Sequence, residues 1–550
     1  MIDPALRTRA EAWRDDDPDP ETVAEIDRLL AKDDDVALRA RFDRPLTFGT
    51  AGLRGALGAG PGRMNRAVVR TTAAAICAWL DQRRIDGPVV VGRDARHGSA
   101  AFAEDTVRIV AATGRQALWW PDPVPTPLLA FAVLDAGAAA GVMVTASHNP
   151  PQDNGYKVYA AHGAQIAPPD DADIAVEIAR VGRVHDIPLA DLDSALVGEL
   201  PDEMRDRYLA GVAAARVRPA TPPLTAAYTP MHGVGGETLR QAFAAAGLDA
   251  PVVVAEQAEP DPDFPTVAFP NPEEPGAMDL VIALATAVDA DVALANDPDA
   301  DRLAVAVPTS DGWRALTGDE VGVLLADHLL RHGAGGADRL VATTVVSSSL
   351  LARLAQEHGV DFAETLTGFK WLAQASRGRD LVLAYEEALG YCVGNLVHDK
   401  DGISAAVVFT ELVGALRSEG SSVRARLDEI ARRHGLHLTA QWSTRFEGLD
   451  GAALMAEKVA ALRSDPPTSL GWTVVTSTED LLADGPLPPT DAVVLRGAGV
   501  RVVVRPSGTE PKLKAYVELV VPVDGPVDGA RAEGRRQLGE LLSAVAALLS

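Results

Sequence analysis

Apolar residues recur along this chain in two rhythms. Residues 1–35 read as one or two polar helices: Val23, Ile26 and Leu29-Leu30 share one face, Asp19 stands at the N-cap, and Pro20 takes the first helical position, where its missing N–H costs nothing. From residue 67 helical spacing alternates with short apolar runs. The pattern predicts a helix over 67–80, a strand over 88–91, a helix over 99–112, a strand over 116–120 and a buried strand over 141–146. The alternation resumes with a strand at 224–228, a helix to 246 and a strand at 291–295. It resumes again with a helix at 318–332, a strand at 339–345, a helix at 348–358 and a strand at 381–384. Such alternation predicts mostly parallel sheets with helices on both faces, whose sites lie at the C-terminal ends of strands. From about residue 438 the texture changes to paired strands near 492–504, a polar Pro-containing patch at 465–468 and a terminal helix.

At 550 residues the chain is too long for one core, and size alone predicts three to five domains. Its 47% hydrophobic and 23% charged residues are ordinary for a soluble globular protein. A formal net charge of −26 repels nucleic acid and anionic membrane surfaces, so neither is expected as a partner. Any phosphate site must then be a local basic cluster. Cys77 and Cys392 stand far apart with no metal-ligand spacing, which fits a reducing cytoplasm. Residues 1–22 are acidic and lack the apolar stretch of a signal peptide. Residues 127–146 are long and nearly uncharged, but Asp135 and several Gly and Pro residues make them a buried helix-then-strand segment instead of a membrane span.

Candidate chemistry clusters in a few loops. After the strand at 141–146 comes Ser147-His148-Asn149-Pro150-Pro151, where two prolines forbid continuation and leave a hydroxyl at a strand end. Three glycines surround Arg54 in residues 48–55, so backbone can approach a ligand while Arg54 offers a planar donor fork. Asp297, Asp299 and Asp301 alternate in Asn-Asp-Pro-Asp-Ala-Asp-Arg; extended, they point the same way, and such crowding of charge calls for a hard divalent cation. No EF-hand glycine and glutamate follow. Glu386 and Glu387 are good acceptors for vicinal sugar hydroxyls. Arg505-Pro506-Ser507-Gly508-Thr509-Glu510-Pro511-Lys512 sets hydroxyls, backbone amides, a guanidinium and an ammonium together as a phosphate cradle.

Taken in order, these loops resemble those of the α-D-phosphohexomutases, the family that includes phosphoglucomutase and phosphomannomutase. The resemblance runs from about Phe48 to Lys512 and lies closest to the phosphoglucomutase and phosphopentomutase branch. It implies three related α/β domains with mixed, mostly parallel sheets and a smaller α+β fourth around a central cleft, at residues 1–205, 206–315, 316–437 and 438–550. It implies a catalytic set of Ser147 (carried as phosphoserine), Arg54, Lys157 (aiding proton transfer) and His148. The metal set is Asp297, Asp299 and Asp301 with the Ser147 phosphate, holding Mg²⁺. Substrate would be bound by Arg302, Gly368, Lys370, Glu386, Glu387, Arg505, Ser507, Gly508, Thr509 and Lys512. The implied reaction moves a phosphoryl group between C1 and C6 of α-glucose 1-phosphate through a bisphosphate, with glucose 1,6-bisphosphate as activator. A phosphomannomutase, a phosphopentomutase, a sugar-bisphosphate synthase, a phosphatase and a non-catalytic sugar-phosphate sensor are the alternatives. Where the family carries Gly-Glu-x-Ser, Tyr385 replaces the glycine and Ala388 the serine, a departure that bears on sugar choice.

Overall fold

Near-continuous apolar runs make buried strands, and the described residues form four sheets. A computed structural model describes residues 1–47, 52–220, 222–446, 451–507 and 512–550. It divides into one unit of Met1–Pro219, Pro223–Ala315 and Gly390–Glu411 and another formed chiefly by Leu316–Leu389 and Leu412–Ser550.

In the first unit, strand Val89–Arg93 lies parallel to Ala140–Val144 on one side and Ala117–Trp119 on the other, with Val197–Glu199 beyond. Asp153–Ala160 and Leu53–Ala56 continue this sheet antiparallel. The nearly uncharged stretch forms the helix Thr126–Asp135, which packs on this sheet, followed by Ala140–Val144, a buried strand within it. Among the described residues no helix is long and apolar enough to cross a membrane. A second sheet sets Ala226–Thr229 parallel to Val252–Val253 and Val292–Ala295, then turns antiparallel through Ala304–Thr309 and Gly312–Ala315.

Ahead of the first sheet stand three helices, Pro4–Arg14, Pro20–Ala31 and Asp35–Phe42. Asp19 caps the second as its spacing predicts, accepting from the Glu21 N–H at 3.0 Å. Leu6, Ile26, Leu30, Leu38 and Phe42 bury together with Ala59, and Glu25 holds both Arg41 and the Ala59 N–H. These helices therefore brace the loop that follows the Arg54 strand.

In the second unit, Arg339–Thr344, Asp361–Thr365 and Asp380–Glu386 are parallel. Helix Gly318–His332 packs on Asp380–Glu386, and Thr317 with Glu320 closes a capping box at its start. The last sheet is antiparallel, in the order Leu436–Arg445, Lys512–Val521, Val500–Pro506, Val493–Gly497, Thr473–Asp480 and Ser469–Leu470, with the helix Val527–Leu549 across it.

Glu518 ties that sheet to the turn 347–349. It accepts from Ser348 Oγ at 2.8 Å and the Ser349 N–H at 2.7 Å, and pairs with Arg501 at 3.0 Å and His437 at 3.0 Å. Burial opposes its charge, but the His437 and Arg501 contacts outweigh it and hold the carboxyl at about 2 against an ordinary 4.5. The folded state thus binds this proton less tightly than the unfolded chain. The stabilisation, on the order of 3 kcal/mol, is complete above pH ~4.5 and drains away as pH falls toward ~2. Glu518→Gln should lower the thermal midpoint at neutral pH and flatten its fall with acid; an acid dependence identical to wild type would show that other groups control it.

Candidate functional site

Ser147 follows strand Ala140–Val144 with φ 52°, a left-handed conformation that costs a non-glycine residue roughly 1 kcal/mol or more. Thr145 Oγ accepts the Ser147 N–H at 2.9 Å, and the Ser147 hydroxyl donates to Asp297 Oδ2 at 2.7 Å. Gly155 lets the next strand pass beneath: a Cβ there would lie 2.5 Å from the Thr145 carbonyl oxygen. That strand delivers Lys157, wholly buried, with Nζ 2.7 Å from Asp299 Oδ2 and 2.8 Å from Asp301 Oδ2.

The aspartates converge through a turn and not through the extended run that their spacing implies. Ala300 is left-handed at φ 57° and its N–H donates to the Asp297 carbonyl, which folds the loop so that one oxygen of each aspartate lies within 4.8 Å of the others. Burial, then Asp299 and Asp301, push Asp297 well above the ordinary carboxyl value. Burial also penalises Asp301, but Lys157, Lys400 and Arg302 hold it below that value. Lys157 itself is raised, because Asp299 and Asp301 overcome the cost of burying it, so it stands as a cation and a proton donor.

The donor set fits a hard dication. Among the described residues, Asp299 Oδ1 and Asp301 Oδ1 are buried acceptors with no hydrogen-bond partner, and the oxygens are anionic as Mg²⁺ prefers. Thr126, whose helix shows only apolar character in the sequence, orients Asp299 through its hydroxyl at 2.6 Å.

His148 is half-buried beside Ser147, with Nδ1 3.2 Å from Oγ. Burial, then the positive charges of Arg302 and Arg54, push it well below 6.5, so the imidazole is neutral. Arg54 donates to Asn149 Oδ1 at 3.0 Å, and Asn149 Nδ2 to Asp153 at 2.8 Å. Arg302 donates its N–H to Asp297 Oδ1 at 3.0 Å, while its guanidinium pairs with Glu273 at 2.8 Å. Lys400 approaches Asp301 to 3.4 Å, a neighbour that sequence reasoning missed. The charged run Asp399-Lys400-Asp401-Gly402 was its signal: Asp399 accepts from Tyr159 and Gln165, and Asp401 caps the helix that follows. Arg93 holds the Pro121 and Asp94 carbonyls, and His232 bonds Thr266, so both are structural.

The second unit gathers residues of another kind. Gly368, at φ 109°, donates its N–H to Glu386 Oε1 at 2.7 Å, and Arg505 donates to Thr367 Oγ. Lys370 is buried, its ammonium 5.9 Å from the Trp371 ring centroid. Glu387 donates its N–H to Ser347 Oγ at 3.3 Å. The Ser507 N–H bonds the Lys512 carbonyl at 2.7 Å, which closes the ends of the basic loop; Gly508 and Thr509 lie outside the described residues, as do residues 48–51. Tyr385 turns into the core, where its hydroxyl donates to Asp319 at 3.1 Å and its ring packs on Gly322; a Cβ there would fall 2.5 Å from the ring. Its replacement of glycine is therefore a packing feature.

Four family models match the chain in order: the alpha/beta/alpha domains I, II and III of phosphoglucomutase/phosphomannomutase over residues 45–184, 206–312 and 317–434, and the C-terminal domain over 450–522. A "Probable phosphomannomutase" from Haemophilus influenzae is 42% identical, covering 83% of this chain and 93% of the relative. This chain belongs to the phosphoglucomutase/phosphomannomutase family. A "Probable phosphoribomutase" from Schizosaccharomyces pombe is 36% identical over 94% of each chain, and a "Phosphoglucomutase" from Staphylococcus epidermidis is 33% identical over 86% of this chain and 90% of its own. The chain is accordingly a phosphomutase, an isomerase of a Mg-dependent family, and it carries the acidic triad that such an ion needs.

Proposed function

We propose that this phosphomutase carries its phosphoryl group on Ser147 and interconverts α-glucose 1-phosphate and glucose 6-phosphate. The observation that carries the reading is the Ser147 hydroxyl, held 2.7 Å from Asp297 inside the three-carboxylate cluster at a strand end.

In the forward half, the bond from phosphorus to Ser147 Oγ breaks as a bond forms to the free hydroxyl of the sugar monophosphate, giving glucose 1,6-bisphosphate. In the return half, Ser147 Oγ attacks the other phosphate and the sugar oxygen leaves with a proton. The proton lost by the attacking hydroxyl is regained by the leaving oxygen, so the cycle consumes nothing. Phosphoryl transfer depends chiefly on positioning and charge neutralisation. Asp297, Asp299 and Asp301 would hold Mg²⁺, which lends positive charge to the transferring oxygens. Lys157 holds a proton beside Asp299 and Asp301, Arg54 and Asn149 fix the far side of the serine loop, and neutral His148 accepts or donates one hydrogen bond at Oγ. Glu386 and Glu387 are assigned to sugar hydroxyls. Arg505, Ser507, Gly508, Thr509 and Lys512, with Gly368, Lys370 and Arg302, are assigned to phosphate and substrate binding. Free glucose 1,6-bisphosphate primes Ser147 as activator.

Domain limits at 1–205, 206–315, 316–437 and 438–550 accompany this reading, supported by one sheet in each span. A cytoplasmic location is supported by two free, buried cysteines, and the lack of a nucleic-acid partner by the charge of −26.

The glucose assignment rests on the paired Glu386 and Glu387. Ala388 cannot make the hydrogen bond a serine would, and one such bond is worth roughly 1 kcal/mol, so other sugars are slowed and not excluded. Side-by-side kcat/KM values should rank glucose 1-phosphate first, with ribose 1-phosphate and mannose 1-phosphate slower but measurable. A pentose preference is the second reading, favoured by the full-length likeness to the phosphoribomutase, and a lead for ribose 1-phosphate would establish it. A lead for mannose 1-phosphate would overturn both. Release of inorganic phosphate, or a need for an activated donor, would point instead to a phosphatase or a bisphosphate synthase.

A further inference from the structure

The Ser147 loop closes two turns of its own, the Asn149 N–H donating to the Ala146 carbonyl and the Asp153 N–H to the Pro150 carbonyl, both at 3.1 Å. Pro150 and Pro151 lack N–H groups, and Ser147 sits in a left-handed conformation that persists only where its surroundings impose it. Residues 147–153 turn four carbonyl oxygens toward one side chain. Arg96 Nη2 donates to the carbonyls of Ser147, at 2.7 Å, and of Asn149; Nη1 donates to those of Pro150, at 2.8 Å, and Asp153, at 3.2 Å.

Arg96 is itself tightly held. It is 4% exposed, its Nε lies 3.4 Å from Asp94 Oδ2, and its own N–H donates to Asp94 Oδ1 at 2.9 Å. Asp94 is fixed in turn by the Ser99 hydroxyl at 2.6 Å. The Phe264 ring, from the loop after the second sheet's strand Val252–Val253, covers the guanidinium with its centroid 4.8 Å from the central carbon. An ion pair with Asp94 alone would need neither the carbonyl cage nor the ring.

We propose that Arg96 is a positioning residue for the mutase reaction: its guanidinium fixes the Ser147 loop so that Oγ stays on the three-carboxylate cluster through both phosphoryl transfers. A planar fork of donors suits this task and a lysine ammonium does not, because one point charge cannot reach four carbonyls spread over both Nη atoms. Arg96 touches neither substrate nor metal in this role. It deepens the phosphoserine reading and rests on it.

The test compares wild type with Arg96→Lys and Arg96→Gln in three measurements: kcat and KM for glucose 1-phosphate, the rate at which dephosphorylated protein gains phosphate from glucose 1,6-bisphosphate, and the thermal midpoint. A misplaced nucleophile costs rate and leaves substrate binding alone, since a shift near 1 Å can cost about 100-fold. Both variants should lose about 10- to 100-fold in kcat and in phosphorylation rate, with KM within about twofold and the pH profile of kcat unmoved. Arg96→Lys keeps the charge and the aliphatic stem, and it is the deciding variant where Arg96→Gln does not fold. Wild-type phosphorylation rates in a folded variant overturn the proposal, and so does failure of both variants to fold, which would make Arg96 a structural residue. A wild-type protein that never gains phosphate from the bisphosphate would instead defeat the phosphoserine reading itself.

Discussion

Ser147→Ala should abolish mutase turnover, by about 10⁴-fold or more, and leave the thermal midpoint essentially unchanged. In the proposed reaction the hydroxyl is the one atom of this side chain that is used, and it is held 2.7 Å from Asp297 in the three-carboxylate cluster. The fold should survive because the loop's shape comes from main-chain groups, namely the Arg96 contacts and the Ser147 N–H bond to Thr145, which alanine retains. Assays with glucose 1-phosphate and trace glucose 1,6-bisphosphate check this; activity within tenfold of wild type would rule out covalent transfer through Ser147.

Removing the divalent ion should have the next largest effect. Three carboxylates whose ligand atoms lie within 4.8 Å repel one another, and even with Lys157 and Lys400 beside Asp301, burial and that repulsion push Asp297 well above its ordinary value. Chelation should therefore stop turnover, and added Mg²⁺ should restore it. Asp299→Asn keeps the shape and the Thr126 contact but removes one charge and weakens the hold on Lys157. We expect Mg²⁺ affinity to fall at least about tenfold and kcat by about 10²- to 10³-fold. Calorimetric titration of Mg²⁺ reads the first effect independently of activity. Full activity after chelation, or unchanged Mg²⁺ affinity in the variant, would remove the metal role from this loop.

Much of this was legible in the chain because the signals are local. Apolar runs set the strands, Asp19-Pro20 marked a helix start, and helix Gly318–His332 matches its predicted limits. The strand end at Ser147 and the aspartate cluster were likewise readable from prolines and spacing. What escaped depends on contacts distant in sequence. Thr126 meets Asp299 across 173 positions, and Lys400 reaches Asp301 only because the run 398–402 is anchored by Tyr159 and Gln165. Arg96 pairs with Asp94 two residues before it, but the same guanidinium also holds four carbonyls some fifty residues away, which nothing local reveals. Tyr385 looked like an altered sugar contact, because nothing local reveals that Gly322 has made room for its ring. Positive φ at Ser147 and Ala300 escaped for the same reason: tertiary contacts impose a conformation that neither residue prefers.

The most direct test of the central claim is the mass of the protein itself. Dephosphorylated enzyme treated with ³²P-labelled glucose 1,6-bisphosphate and Mg²⁺ should gain one phosphoryl group on the peptide containing Ser147, and excess unlabelled glucose 1-phosphate should then carry the label into sugar phosphate while the protein's mass stays that of the phosphorylated form. Phosphate that never appears, that maps to another residue, or whose label stays on the protein when unlabelled glucose 1-phosphate is supplied would contradict the account.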